Sequence, residues 1–153
     1  MKLQVLLAAV ALCVISTVAG AHVTVWPRES ALGAYEKYVV RVPTEGAVPT
    51  TSIELQMPDG VSLVSMAAPG NFTYELKRTG DRVTSIVWTQ PIKPGEFAEF
   101  AFMARNPKTG AAIAWRAVQR FSDGSSTEWS GPAGDKHPAS VTKLTPAAAT
   151  ANH

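Results

Sequence analysis

The stretch TTSIELQMP, residues 50–58, decides the fold class. In it, Ile53, Leu55 and Met57 alternate with polar residues, and a period of two is typical of a strand that buries one face. Asp59-Gly60 follows directly, and this dipeptide marks a turn. The stretch therefore predicts a half-buried β-strand that ends in a tight turn.

Similar short segments, bounded by turn residues, occur along the rest of the chain. They are HVTVWP (22–27), YEKYVVRVP (35–43), VSLVSM (61–66), FTYELKR (72–78), RVTSIVWTQ (82–90), EFAEFAFMARN (96–106), AIAWRAVQRF (112–121) and SVTKLT (140–145). None has a convincing helical period, and the 11 prolines suit strand ends better than helices. About nine short strands predict an all-β fold, an antiparallel β-sandwich. The predicted core aromatics are Trp26, Trp88, Phe100, Phe102 and Trp115.

Residues 1–21 have the features of a cleaved signal peptide. Lys2 supplies a positive start, residues 3–18 are almost unbroken apolar sequence, and Ala-Gly-Ala at 19–21 fits the small residues that precede a cleavage site. The apolar run is shorter than the about 20 residues of a membrane-spanning helix. We therefore expect export to the periplasm, a mature domain over residues 22–145, a flexible tail over 146–153, and no membrane anchor in the mature chain.

Composition narrows the function of the predicted mature chain. The single cysteine, Cys13, lies in the leader, so neither a disulfide nor a thiolate metal site is expected after cleavage. Without Lys2 the chain keeps 13 of its 14 basic residues against 12 acids, a net charge of +1 with no basic run, which argues against nucleic acid as a partner. The sequence has no Ser/His/Asp set, paired catalytic carboxylates or Gly-rich phosphate loop, so we expect no enzyme.

The expected first residue, His22, suggests a copper ligand. An N-terminal histidine offers its α-amine and Nδ1 to one metal ion, and among divalent ions Cu²⁺ binds such nitrogen donors most tightly. Glu29 is close in sequence and could add an oxygen ligand, and His137 could add a second imidazole. From these residues alone, an N-terminal histidine that frays in solvent remains an alternative.

Four stretches resemble the YcnI-like copper-binding domain, a family of bacterial exported proteins, over essentially the whole mature chain. They are residues 21–58, PGNFTYEL (69–76), IVWTQPIKPGEFAEFAF (86–102) and EWSGPAGDKHPASVTKL (128–144). The resemblance implies a cupredoxin- or immunoglobulin-like sandwich that binds Cu(II) through a single-histidine brace, with a tryptophan near the metal. These residues would be His22 and Trp129. It also implies periplasmic copper acquisition or homeostasis, with an inner-membrane copper permease and periplasmic copper carriers as partners.

The sequence alone also allows other interpretations of Trp129 and of the function. Without the resemblance, Trp129 reads as a surface or turn aromatic, because it lies in a Gly/Pro-rich stretch. A copper-dependent polysaccharide monooxygenase also begins with histidine, but it needs a second histidine and a flat aromatic face. A third alternative is a β-sandwich with a structural role in the cell envelope, in which His22 has no metal-binding function. Copper titration separates these alternatives.

Overall fold

The structure, a computed structural model, describes residues 21–147, and this range contains twelve strands and no helix. The strands are β1 (Thr24–Trp26), β2 (Glu29–Ala31), β3 (Tyr35–Pro43), β4 (Thr50–Gln56), β5 (Ser62–Met66), β6 (Thr73–Thr79), β7 (Arg82–Ile92), β8 (Phe97–Arg105), β9 (Ala112–Trp115), β10 (Ala117–Phe121), β11 (Ser126–Trp129) and β12 (Ser140–Thr145). The predicted leader up to residue 20, with Cys13, and the predicted tail from residue 148 lie outside the described residues.

The strands form three sheets. The four-stranded sheet has the order β1-β3-β8-β5, the five-stranded sheet β11-β10-β4-β7-β6, and the small third sheet β2-β12-β9. The pairs in the two larger sheets are antiparallel, whereas β2 pairs with β12 in parallel. The prediction of an antiparallel β-sandwich is confirmed. Residues 21–147 contain no helix able to cross a membrane.

Along the long strands, every second side chain points into a shared core. In β4, Ile53 and Leu55 are buried, and in β8, Phe100 and Phe102 are buried, because successive side chains of a strand point to opposite faces. The rings of Trp88 and Phe100 stack at 5.4 Å. The core role predicted for Trp88, Phe100, Phe102 and Trp115 is confirmed.

Trp26 was predicted to pack in the core, but it lies at the surface. It is 42% exposed, because it lies on the outward side of the edge strand β1, where the guanidinium of Arg28 lies 4.8 Å from its ring. Cation–π attraction in an exposed position replaces the expected burial.

The prediction of nine strands was also wrong in three places. The segment 112–121 is interrupted at Arg116, and its halves β9 and β10 belong to different sheets. β2 was missed because it is three residues long and pairs in parallel with the distant β12. β11, with the sequence STEW, was missed because a single apolar residue cannot show a period.

The outer strands of the two large sheets are β1 and β5, and β11 and β6. The register shifts between Leu63 and Ser65 where β5 pairs with β8, and between Lys77 and Arg78 where β6 pairs with β7. β1 and β11 are short, with three and four residues. The candidate functional site lies between the segment that precedes β1 and the end of β11.

Candidate metal centre

His22 contacts Trp129 at the edge of the sandwich. His22 precedes β1 and Trp129 ends β11, and their ring centroids are 5.4 Å apart at an interplanar angle of 54°. Trp129 is only 7% exposed, so its interpretation as a surface or turn aromatic was wrong. The antiparallel pairing of β11 with β10, which sets Trp129 opposite Ala117, carries the indole into the protein. The structure therefore brings together the two residues that the resemblance selected.

The buried side chain of Gln119 fixes the indole. Trp129 Nε1 donates a hydrogen bond to Gln119 Oε1 at 3.1 Å, and Gln119 Nε2 donates to the carbonyl of Pro43 at 2.9 Å and to Thr50 Oγ1 at 2.7 Å. A buried amide without such partners is costly. Sequence reasoning missed Gln119, although a glutamine at an inward position of an apolar strand is a usable signal.

The carboxylate of Glu45 lies close in space to Ala21, the first residue that the structure describes. Ala21 N donates a hydrogen bond to Glu45 Oε1 at 2.8 Å. The loop that carries Glu45 follows β3 and is held by hydrogen bonds from Thr44 N to the carbonyl of Glu96 and from Gly95 N to the carbonyl of Thr44, each 2.9 Å. The Glu45 side chain is exposed, and its carboxylate contacts the backbone nitrogen of the residue that precedes His22.

Glu29, considered as an oxygen ligand because it is close to His22 in sequence, lies on β2 in the third sheet. It is exposed on β2 and stands in register with Lys143 of β12. Among residues 21–147, no hydrogen bond or ion pair joins Glu29 to His22. Glu45 was missed by sequence reasoning because it lies in a loop 24 residues from Ala21, where nothing in the local pattern marks it.

His137 approaches Trp129 as well. Its ring lies 5.0 Å from the indole at 83°, an edge-on contact. Its backbone is fixed, since its carbonyl accepts hydrogen bonds from Ser130 N and Gly131 N, and its N–H donates to Asp135 Oδ1 at 2.9 Å. The described part of the chain nevertheless contains no group of three or more His, Cys, Asp or Glu side chains close enough to hold a metal ion. His22, Glu45 and His137 therefore do not form a three-side-chain site.

A cleft of about 310 Å³ lies beside Trp129, and His22 is not among the residues that line it. It is lined by Ala21 and Glu45, by Trp129 and His137, and by a set of further residues that includes Gln119, Phe121, Ser125 and Thr127. The cleft therefore has aromatic and polar walls and contains both the carboxylate near the N-terminal side and the second imidazole.

The fold and the site define an immunoglobulin-like β-sandwich with a histidine just before its first strand, packed on a buried tryptophan. The chain belongs to the family described as a domain of unknown function, DUF1775, whose model matches residues 22–149. It is 36% identical over 132 residues to the copper-binding protein CutI of Bacillus subtilis (strain 168). The resemblance to the YcnI-like family is confirmed. The match covers 84% of this chain and 65% of CutI, so the chain spans less than two thirds of that relative.

Solved structures agree on the architecture. An uncharacterized protein from Nocardia farcinica with an immunoglobulin-like fold superposes with a TM-score of 0.71 at 25% identity, covering 81% of this chain and 98% of that one. A cohesin module from the Clostridium perfringens ATCC13124 family 33 glycoside hydrolase gives a TM-score of 0.57 at 12% identity, covering 82% and 96%. The second similarity concerns the fold alone.

Proposed function

We propose that the mature chain begins at His22 and is a periplasmic Cu²⁺-binding protein of copper acquisition or homeostasis. The observation that carries this proposal is the contact of His22 with the buried Trp129, beside the Glu45 carboxylate. The 36% identity to a protein named for copper binding supports the choice of metal. The family resemblance further suggests an inner-membrane copper permease and periplasmic copper carriers as its partners.

The chemistry of the donors supports a single-histidine brace. Cleavage before His22 turns its backbone nitrogen into an amine, which chelates one Cu²⁺ together with the imidazole Nδ1. The carboxylate of Glu45 accepts a hydrogen bond from Ala21 N, and we take it as the candidate oxygen ligand once cleavage removes Ala21. The indole of Trp129 offers cation–π attraction and shields one side of the ion from water.

Binding without catalysis is the better-supported role. The monooxygenase alternative requires a second histidine ligand, whereas the relative that is 36% identical to this chain is named for copper binding. The core aromatics Trp88, Phe100 and Trp115 are fully buried, so they cannot belong to a flat binding face.

The proposal is tested on exported protein. Mass analysis should show a chain that starts at His22, and titration should give one Cu²⁺ per chain with an electron paramagnetic resonance spectrum of nitrogen ligands. Absence of copper binding would favour the structural sandwich. Oxidation of glycans by the copper-loaded protein with a reductant would favour the monooxygenase.

A further inference from the structure

Three aromatic rings are exposed on the outer face of the four-stranded sheet, the side that points away from the core. Trp26 is 42%, Tyr35 63% and Phe97 62% exposed. Tyr35 and Phe97 lie at opposite ends of this face, because Tyr35 begins β3 and Phe97 stands opposite Pro43, where β3 ends. At about 3.3 Å per residue, these two ends are roughly 26 Å apart. Exposed apolar groups gathered on one face are typical of a contact surface.

Each of the three rings carries an arginine guanidinium within cation–π distance. The pairs, with the distance from Cζ to the ring centroid, are Arg28 on Trp26 at 4.8 Å, Arg105 on Tyr35 at 5.3 Å and Arg41 on Phe97 at 5.7 Å. A guanidinium that stacks on a ring keeps the N–H groups in its plane available to an anion. Within residues 21–147 the side chain of Arg41 bonds to Glu99, whereas those of Arg28 and Arg105 make no hydrogen bond or ion pair. Two stacked guanidiniums are therefore available to an external anion.

The outer face also has an excess of positive charge. Its charged side chains are the cations Arg28, Lys37, Arg41 and Arg105 and the acid Glu99. At the Phe97 end, Lys93 balances Glu96, and Glu45 is the candidate copper ligand. The face thus has three more positive than negative charges, whereas the whole predicted mature chain has a net charge of +1. Because these cations are scattered in the sequence, the fold and not a basic run brings them together.

The outer face is open rather than grooved. The hollow lined by residues that include Lys37, Ala101 and Met103 has a volume of about 150 Å³, which is below the range of small-molecule pockets. A partner that contacts all three rings must therefore be extended. Trp and Tyr rings concentrate where an apolar phase meets water, as at a membrane surface, and Arg and Lys are attracted to anionic lipids there. The rings and the charge together favour an anionic lipid bilayer.

We propose that the outer face binds the surface of an anionic lipid bilayer, with the three rings in the headgroup region and the cations on lipid phosphates. This inference goes beyond the proposed function, because the binding is peripheral and needs neither a membrane-spanning helix nor copper. Thr24, two residues after His22, pairs with Arg41 of the outer face. The bound protein therefore keeps the candidate metal centre beside the bilayer.

The test is co-sedimentation with lipid vesicles. It uses exported protein that mass analysis shows to start at His22, so that the apolar leader plays no part. Three excess charges should make vesicles of phosphatidylglycerol bind about a hundredfold more tightly than vesicles of phosphatidylcholine at low salt, and added salt should weaken the binding. Equal binding to both vesicles, or to neither, would overturn the inference.

Tryptophan fluorescence shows whether the rings enter the headgroup region. Trp88, Trp115 and Trp129 are buried, so a blue shift on addition of phosphatidylglycerol vesicles reports Trp26. The shift should be absent in Trp26→Phe. Vesicle binding without a blue shift in the parent protein would contradict the inference, because the charges alone would then account for the binding.

Paired variants separate the outer face from net charge. Arg28→Gln combined with Arg105→Gln should weaken binding to phosphatidylglycerol vesicles about thirtyfold, since each basic residue near the surface contributes about fivefold. Arg78→Gln combined with Lys136→Gln removes the same charge from exposed positions outside this face and should weaken it less than about threefold. Equal losses in the two double variants would overturn the inference.

Two further measurements distinguish this surface from other roles. Binding to poly-L-glutamate without binding to vesicles would assign the outer face to an acidic protein and overturn the inference. Copper titration of the Arg28→Gln, Arg105→Gln double variant should give the parent affinity, so that the membrane surface and the copper site can each fail without the other.

Discussion

Gln119 holds Trp129 through a hydrogen bond of 3.1 Å from the indole Nε1 to the amide Oε1. The same amide donates to the carbonyl of Pro43 and to Thr50 Oγ1. Strand β11 is thereby tied to the end of β3, where the loop with Glu45 begins. One buried amide thus fixes the indole and holds the end of the strand after which Glu45 lies.

We expect Gln119→Leu to lower the free energy of unfolding by about 2–3 kcal/mol, because the indole N–H and two oxygen acceptors lose a buried partner. Urea denaturation measures the change. Gln56→Leu, at an exposed position of β4, is the matched control and should change stability by less than about 0.5 kcal/mol. Equal effects of the two substitutions would contradict the role assigned to the amide.

Trp129→Phe should keep the fold and alter the copper site, because the smaller ring loses the indole face and the hydrogen bond to Gln119. In the parent protein we expect Cu²⁺ to quench Trp129 fluorescence. Most of this quenching should disappear in Trp129→Phe and remain in Trp26→Phe, whose tryptophan is 42% exposed on β1. If Trp129→Phe showed the same quenching and the same Cu²⁺ affinity as the parent, Trp129 would contribute to packing and not to the copper site.

Glu45→Gln should weaken Cu²⁺ binding about tenfold, because an amide is a poorer ligand than a carboxylate for this ion. Glu29→Gln is the control, since Glu29 lies on β2 opposite Lys143 and should have no effect. Competition with a chelator of known affinity measures both dissociation constants. A larger loss in Glu29→Gln than in Glu45→Gln would restore the ligand set suggested by sequence proximity.

One additional residue before His22 should weaken Cu²⁺ binding by about a hundredfold or more. The extra peptide bond turns the amine into an amide, which must lose a far less acidic proton before it binds metal. Chelator competition on samples that begin with His22 and with Met-His22 measures the ratio. Equal affinities would exclude the brace.

Glu54 should make stability depend on pH. Partial burial raises the pKa of its carboxyl, but hydrogen bonds from Lys77, Arg120 and Ser85 outweigh burial and lower the pKa from 4.5 to about 2. Because the folded-state pKa is the lower one, the ion pairs stabilise the fold above the ordinary pKa of about 4.3, and this contribution is lost as the pH falls towards 2.

Glu54→Gln should therefore cost about 1–2 kcal/mol at pH 7, a modest value because Lys77 and Arg120 are 49% and 43% exposed. The difference from the parent should shrink between pH 4.5 and pH 2 in urea titrations. A difference that is constant over this interval would show that the carboxylate charge contributes nothing. Glu75→Gln, at an exposed position of β6, is the control.

Sequence patterns predicted the parts of this protein that depend on local alternation. The bounds of β3, Tyr35–Pro43, match the predicted segment, because apolar residues at every second position mark a strand that buries one face. The split at Arg116 was missed, since a strand that passes from one sheet to another keeps its alternation across the break.

The candidate site was only partly predictable because its residues meet through tertiary packing. His22 and Trp129 came from a resemblance, and their contact joins the segment before β1 to the end of β11, a strand of another sheet. Gln119 and Glu45 carry no local motif; one is defined by its burial and the other by its closeness to Ala21. These contacts join residues that are far apart in the chain, and an alternating pattern within one strand gives no information about them.

The outer strands of the sandwich also bear on self-association. An exposed strand edge can template the addition of a strand from another molecule, and short strands, bulges and charged side chains oppose this. β1 and β11 are short, β5 and β6 contain register shifts, and Lys77 and Arg78 flank the shift in β6. All four outer strands therefore resist edge-to-edge aggregation, which favours a protein that stays monomeric at the concentrations a copper titration needs.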